Sequence, residues 1–290
     1  MPLGGREFIM PIFDTLVDTQ VLASHLGDRD WVVFDCRFDL ANPGAGVADY
    51  TRGHIPGAFY ANLDQDLAGQ RNARNGRHPL PDPMAFAETL GRSGVTSGKQ
   101  IIAYDSQGGI FAARLWWLAR WLGHHAVAVL DGGLPQWMAE NRPLSTEIPE
   151  GRPTKFKARP RADWVGADFV LENLGRIALV DARAPDRFRG ENETLDPVGG
   201  RIPGARNRFY RDNLDAAGRF KLPAALKNEF GILLTGASGD QVVHSCGSGV
   251  SACHNLLAME IAGIPGSRLY PGSWSEWCSD PRRPVARGNP

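Results

Sequence analysis

The sequence predicts an α/β chain made of two copies of one domain, each a parallel sheet with helices on both faces. Five blocks recur in the same order. WVVFDCR (31–37) returns as IALVDAR (177–183), GHIPGA (53–58) as GRIPGA (200–205), and GRHPLP (76–81) as GRFKLP (218–223). QIIAYDSQGG (100–109) returns as QVVHSCGSG (241–249), and LDGGLPQW (130–137) as YPGSWSEW (270–277). Offsets of 140 to 147 residues throughout are the signature of a tandem duplication. Within each copy, short apolar runs alternate with stretches of helical spacing, the pattern of strands joined by crossover helices. A chain of 290 residues is long enough for two such domains, each with its own core.

Taken in order, the apolar tetrads that end at Asp35 and Asp181 read as buried parallel strands, short and rich in branched side chains. The two aspartates, each two residues before an arginine, are expected to stitch strand ends within their own domains. FAARLWWLARWLG (111–123) is apolar nearly all round and predicts a buried helix. Its counterpart after Gly249 sets Val250, Cys253, Leu257 and Ile261 on one face, at steps of three and four. LSTEIPEGRPTKFKARPRA (144–162), rich in proline and charge and without a clean period, reads as a connector. The expected division is therefore an N-terminal domain at 10–145, a linker at 146–160 and a C-terminal domain at 161–286. Residues 1–9 are expected outside the fold, with Met10 as a second plausible start.

Composition excludes several classes. The 32 basic and 32 acidic side chains cancel, so no global field recruits nucleic acid or an anionic membrane. An apolar content of 42%, with eight Trp and thirteen Phe, excludes a disordered chain. No apolar run reaches the ~18 residues of a membrane helix, and the N-terminus lacks the regions of a secretory signal. The four cysteines form neither a CxxC pair nor a zinc-ligand spacing. They are expected as reduced thiols in a cytoplasmic protein, with no metal and no organic cofactor.

One cysteine is placed for chemistry. Cys246 follows a strand and precedes a helix, which puts it outside the carboxyl end of a parallel sheet, where open α/β folds bind ligands. Backbone N–H groups of the Gly247-Ser248-Gly249 turn can converge on one point there, and the following helix adds its positive end. Glycines at 247 and 249 suit a loop of unusual backbone angles. A thiol held in this way ionises more readily and becomes a nucleophile. Cys36, Cys253 and Cys278 read instead as inert core thiols. At the position of Cys246 the first copy carries Asp105, which cannot do sulfur chemistry. The C-terminal copy is thus expected to react, and the N-terminal copy to close over it.

The tandem arrangement, the HIPGA block and the CGSGVSAC loop resemble the two-domain rhodanese-type sulfurtransferases, from about residue 12 to residue 285. A neutral loop, here Cys246-Gly247-Ser248-Gly249-Val250-Ser251, is similar to those of the 3-mercaptopyruvate enzymes, whereas basic loops go with thiosulfate. The resemblance implies that Cys246 takes a sulfur as a persulfide, releasing pyruvate, and passes it to a thiol acceptor such as thioredoxin or a small thiol, or to cyanide. It implies that Ser248 and His54 move protons. It implies further that Arg187 grips the donor carboxylate and that Gly247, Gly249, Val250 and Ser251 cradle the sulfur. The chain departs from the family pattern in NETLDPVGG (192–200), which lacks a second substrate arginine. Arg201 stands where a histidine is usual; it joins the expected substrate site, with Arg206 or Arg208 as other replacements. These arginines keep thiosulfate open as the donor.

Three other readings compete. Phosphatases that share this domain type need a Cys-x5-Arg clamp, but the sixth residue after Cys246 is Ala252. A non-catalytic sulfur- or anion-binding module would have lost its cysteine, as the first copy has and the second has not. A redox sensor would need Cys246 and Cys253 close together, with Cys253 turned out of the core.

Overall fold

In the computed structural model, which describes residues 12–289, each copy folds around its own parallel sheet. The expected domain start at residue 10, residues 1–9 and Met10 lie outside the described residues. The first copy runs β1 (Leu16–Val17), α1 (Thr19–Ser24), β2 (Trp31–Asp35), α2 (Ala45–Arg52), β3 (Phe59–Tyr60), α3 (Pro83–Arg92), β4 (Gln100–Tyr104), α4 (Ala112–Trp121), β5 (Val127–Leu130) and α5 (Gly133–Ala139). The second runs α6 (Ala167–Glu172), β6 (Ala178–Asp181), α7 (Pro185–Arg189), β7 (Arg206–Asn207), α8 (Pro223–Leu234), β8 (Val242–Ser245), α9 (Ser251–Ile261), β9 (Arg268–Leu269) and α10 (Ser273–Trp277).

The sheet orders are β1-β5-β4-β2-β3 and β7-β6-β8-β9, with every pairing parallel. The second sheet matches the first strand for strand, except that the counterpart of β1 is reduced to a single bridge from Trp164 to Leu269. One face of the first sheet packs on α1 and α5, and the matching face of the second on α6, α7 and α10. The other two faces meet. There α4 lies along α9, and one continuous apolar core runs through both copies. This is why α4 is apolar nearly all round: only Arg120 of its ten residues escapes burial. A helix with a sheet on one side and a second domain on the other has no wet face.

Both Asp-x-Arg pairs close as expected. Arg37 Nη2 lies 2.6 Å from Asp35 Oδ2, and Arg183 Nη2 lies 2.7 Å from Asp181 Oδ2. Each guanidinium also donates to the first carbonyl of the G-x-I-P-G-A block, Gly53 at 2.7 Å and Gly200 at 2.8 Å. The connector takes no helix or strand over 146–160 and runs along the first copy, with Thr154 N–H on the Gly91 carbonyl and Arg159 N–H on that of Leu122.

Candidate active site

The turn between β8 and α9 carries Cys246 at the carboxyl end of a central strand. The thiol is 2% exposed, and its Sγ accepts the Gly249 N–H at 3.1 Å. The turn is held from behind by the segment after β9. Cys246 N–H donates to Ser273 Oγ at 3.0 Å, Trp274 N–H to the Cys246 carbonyl and Ser275 N–H to that of Gly247. Gly249 has φ +78°, the left-handed region expected of a loop glycine, and a Cβ there would press into the Pro271 carbonyl. Gly247 is a glycine for a different reason. Its backbone is not left-handed, but a Cβ would lie 2.8 Å from Arg77 Nη2, a side chain of the first copy.

A cavity of about 460 Å³ opens onto this turn. Its walls include Gly247, Ser248, Val250 and Ser251 from the loop, Arg183 and Arg187 from the second copy, and Arg77 from the first. Arg187, which the resemblance assigns to the donor carboxylate, lines this cavity. Its guanidinium is already engaged, at 2.8 and 2.9 Å from the two Glu193 oxygens. Against the upward pull of burial, Arg187 and the N–H groups of Leu195 and Asp196 hold the Glu193 carboxyl below its usual range. Asp196 pairs with Arg77 and lies 3.6 Å from Arg187.

His54 and Arg201 are not at this cavity, contrary to expectation. His54 is fully buried against Tyr50, with Nδ1 2.8 Å from the Tyr50 carbonyl and Nε2 3.0 Å from that of Glu147. Arg201 lies over Phe188 and donates to the Gly288 carbonyl at 2.6 Å. The two residues occupy matched positions and do matched work. Each forms an antiparallel bridge to the chain leaving its own domain, His54 to Ser145 and Arg201 to Ala286. Arg206 and Arg208 also turn away, to the Leu233 carbonyl and to Glu229.

The histidine that the fold brings to the loop is His78. Its Nδ1 lies 2.7 Å from Ser248 Oγ, and its Nε2 lies 3.2 Å from Asp64 Oδ1. An ionised carboxylate only accepts, which assigns the ring proton to Nε2 and leaves Nδ1 to accept the Ser248 hydroxyl. Burial, and after it the cations Arg114, Arg77 and Arg71, push the imidazole down to about 3, so it stands neutral. Asp64 is 47% exposed and lines an adjoining cavity of about 550 Å³, which opens the far end of this line to solvent. Behind the loop sits Arg114, fully buried, donating to the carbonyls of Leu67, His78, Pro79 and Gly249 at 3.1 to 3.3 Å.

Sequence reasoning missed His78, Arg77, Asp64 and Arg114, all from the first copy. One signal was present: GRHPLP places His78 where GRFKLP places Phe220. The structure shows why the difference matters, because these segments cross over. Phe220 packs by Gly109 of the first copy, while His78 reaches Ser248 of the second. Arg114 and His254 are exchanged in the same way, each donating to a glycine carbonyl in the opposite loop, Gly249 and Gly108.

The first copy's loop turns its N–H groups on an internal anion. The Asp105 carboxylate accepts from the N–H groups of Gln107, Gly109, Phe111 and Ala112 at 2.8 to 3.0 Å. The other thiols are held in their protonated form. Burial pushes Cys253 up to about 12 and Cys278 up to about 11, and Cys36 is raised well above its ordinary value.

Two parallel-sheet domains that share a core, with one cysteine cradled in a strand–helix turn and a carboxylate in the matching turn, define a duplicated α/β enzyme with one working thiol. The rhodanese-like domain pattern matches residues 18–140 and 167–280, and the chain belongs to that family. It is 47% identical over 279 residues to a Pseudomonas aeruginosa protein named "Probable 3-mercaptopyruvate sulfurtransferase", covering 94% of this chain and 98% of that one. It is 38% identical over 236 residues to the human 3-mercaptopyruvate sulfurtransferase, covering 79% and 78%. The crystal structure of the Escherichia coli 3-mercaptopyruvate sulfotransferase SseA superposes with a TM-score of 0.79 at 31% identity, covering 91% of this chain and all of that one.

Proposed function

We propose that this chain, a sulfurtransferase by its family and relatives, takes sulfur from 3-mercaptopyruvate onto Cys246 and hands it to a thiol acceptor or cyanide. The observation that carries the donor is the Ser248–His78–Asp64 line beside the cysteine loop. In the first half-reaction the Cys246 thiolate attacks the donor sulfur. An S–S bond forms, the C–S bond breaks, and the electron pair leaves on the methylene carbon as the pyruvate enolate. That carbon needs a proton to leave as pyruvate. Ser248 Oγ–H is placed to give it; His78 Nδ1, by accepting from that hydroxyl, holds it in place, Asp64 fixes the imidazole tautomer, and water entering the cavity returns the proton to Oγ. Thiosulfate would release sulfite, which leaves with its electron pair and needs no such relay.

Arg187 orients the donor carboxylate, which exchanges with Glu193 on the guanidinium. The N–H groups of Gly249, Val250 and Ser251 cradle the thiolate and then the outer persulfide sulfur. In the second half-reaction an acceptor thiolate removes that sulfur, so the kinetics are ping-pong. In this reading residues 161–286 are the catalytic domain, residues 10–145 supply the relay while Asp105 keeps their own loop inert, and 146–160 join them. No helix among the described residues is long and apolar enough to cross a membrane. Four buried, unpaired cysteines suit a reducing compartment, and we place the protein in the cytoplasm.

The test is mass spectrometry of the protein after exposure to each donor alone. Mercaptopyruvate should add one sulfur atom to Cys246, and Cys246→Ser should abolish both the adduct and pyruvate release. Loading from thiosulfate much faster than from mercaptopyruvate would overturn the donor assignment.

A further inference from the structure

We propose that Asp196 sets the charge of the donor, cancelling the cation at the cysteine loop so that the site favours singly charged anions over dianions. The proposal rests on the sulfurtransferase reading above and deepens it. The loop itself has no basic side chain, but the fold brings one to it: Arg77 approaches Gly247 so closely that a Cβ there would lie 2.8 Å from its Nη2. Left alone, Arg77 and Arg187 would give the cavity two cations, since Arg183 is already bound by Asp181. Two carboxylates from the 192–200 segment face them. Asp196 binds Arg77 and lies 3.6 Å from Arg187, and Glu193 binds Arg187.

Both carboxylate side chains are only 4% exposed, so water screens them little. Asp196 Oδ2 accepts no hydrogen bond among the described residues, although it is buried and turned toward Arg187. The two cations and two carboxylates sum to zero before the thiolate is counted. A donor thus meets a pocket with no surplus positive charge. The interaction of a ligand with a fixed potential is linear in the ligand's charge, so every change in that potential counts twice for a dianion.

The test uses two donors of the same chemistry that differ by one charge. Thiosulfate is a dianion and releases sulfite; methanethiosulfonate is a monoanion and releases methanesulfinate. In each case the thiolate takes the outer sulfur and the leaving group keeps the S–S electron pair. Asp196→Asn should raise kcat/KM for methanethiosulfonate by about 5-fold and for thiosulfate by about the square of that, ~25-fold. Asp196→Glu should preserve the wild-type ratio. Arg77→Gln should shift both donors down with the same squared relation, which keeps the test open if Asp196→Asn does not fold. Equal factors for the two donors in the variants would overturn the role of Asp196. Failure of the wild-type protein to load sulfur from these donors or from mercaptopyruvate would instead overturn the sulfurtransferase reading.

Discussion

The two loop glycines look alike in the sequence and differ in the structure, and that difference is measurable. Gly249→Ala forces a side chain onto a residue at φ +78°, where an L-residue costs roughly 1 kcal/mol or more. The new Cβ also meets Pro271, lying 2.9 Å from its Cα and 3.0 Å from its carbonyl carbon, with the carbonyl oxygen nearer still. Pro271 cannot yield easily, because Tyr270 N–H is bonded to the His244 carbonyl at 2.8 Å and Ser273 Oγ holds Cys246 N–H. Forced overpacking of this kind adds about 1–3 kcal/mol, for a total near 3 kcal/mol. Gly247→Ala meets only the tip of Arg77, which can swing aside, and should cost under about 1 kcal/mol. Urea unfolding of the two variants beside wild type measures this directly. Donor kinetics should also split: Gly249→Ala moves the N–H that faces Sγ and lowers kcat, whereas Gly247→Ala displaces Arg77 and acts through KM. Equal urea midpoints would refute the distinction between strain at one glycine and space at the other.

Stability should fall in mild acid. Burial pushes His78 and His244 down to about 3 and His254 down to about 4, from an ordinary 6.5. Below pH ~6.5 the unfolded chain binds protons that the folded one refuses, so each histidine removes about 2 kcal/mol between pH 6.5 and 5. Urea midpoints that stay constant from pH 7 to 5 would contradict this. Asp105→Asn should destabilise the protein by about 2–4 kcal/mol, since an amide nitrogen would face backbone N–H groups, while kcat stays near wild type; a large kcat loss at full stability would argue against a purely structural Asp105. His78→Ala should slow sulfur loading from mercaptopyruvate by about 10²-fold or more and from thiosulfate far less, a contrast that single-turnover kinetics would show.

Much of the fold was legible because it is local and repeated. The strand tetrads ending at Asp35 and Asp181, the all-round apolar 111–123 helix and the Cys246 turn each carry their signal within a few residues. The site was legible only on the cysteine's own side. Resemblance pointed to His54 and Arg201 because they stand in a recognisable block, yet each is bridged through its backbone to its domain's outgoing chain. His78 lay in a recognised block as well, but nothing in its neighbours says that it crosses to the other copy.

From the sequence alone follow the duplication, the parallel α/β architecture, the one thiol in a strand–helix turn and the aspartate in the matching turn, because periodicity and loop composition are properties of neighbouring residues. Which first-copy side chains complete the site was decided by tertiary structure. Packing α4 against α9 brings Arg77 and His78 to a loop 170 residues away, and folds Glu193 and Asp196 back onto the arginines. The charge a donor meets is a sum over groups that only the fold brings together.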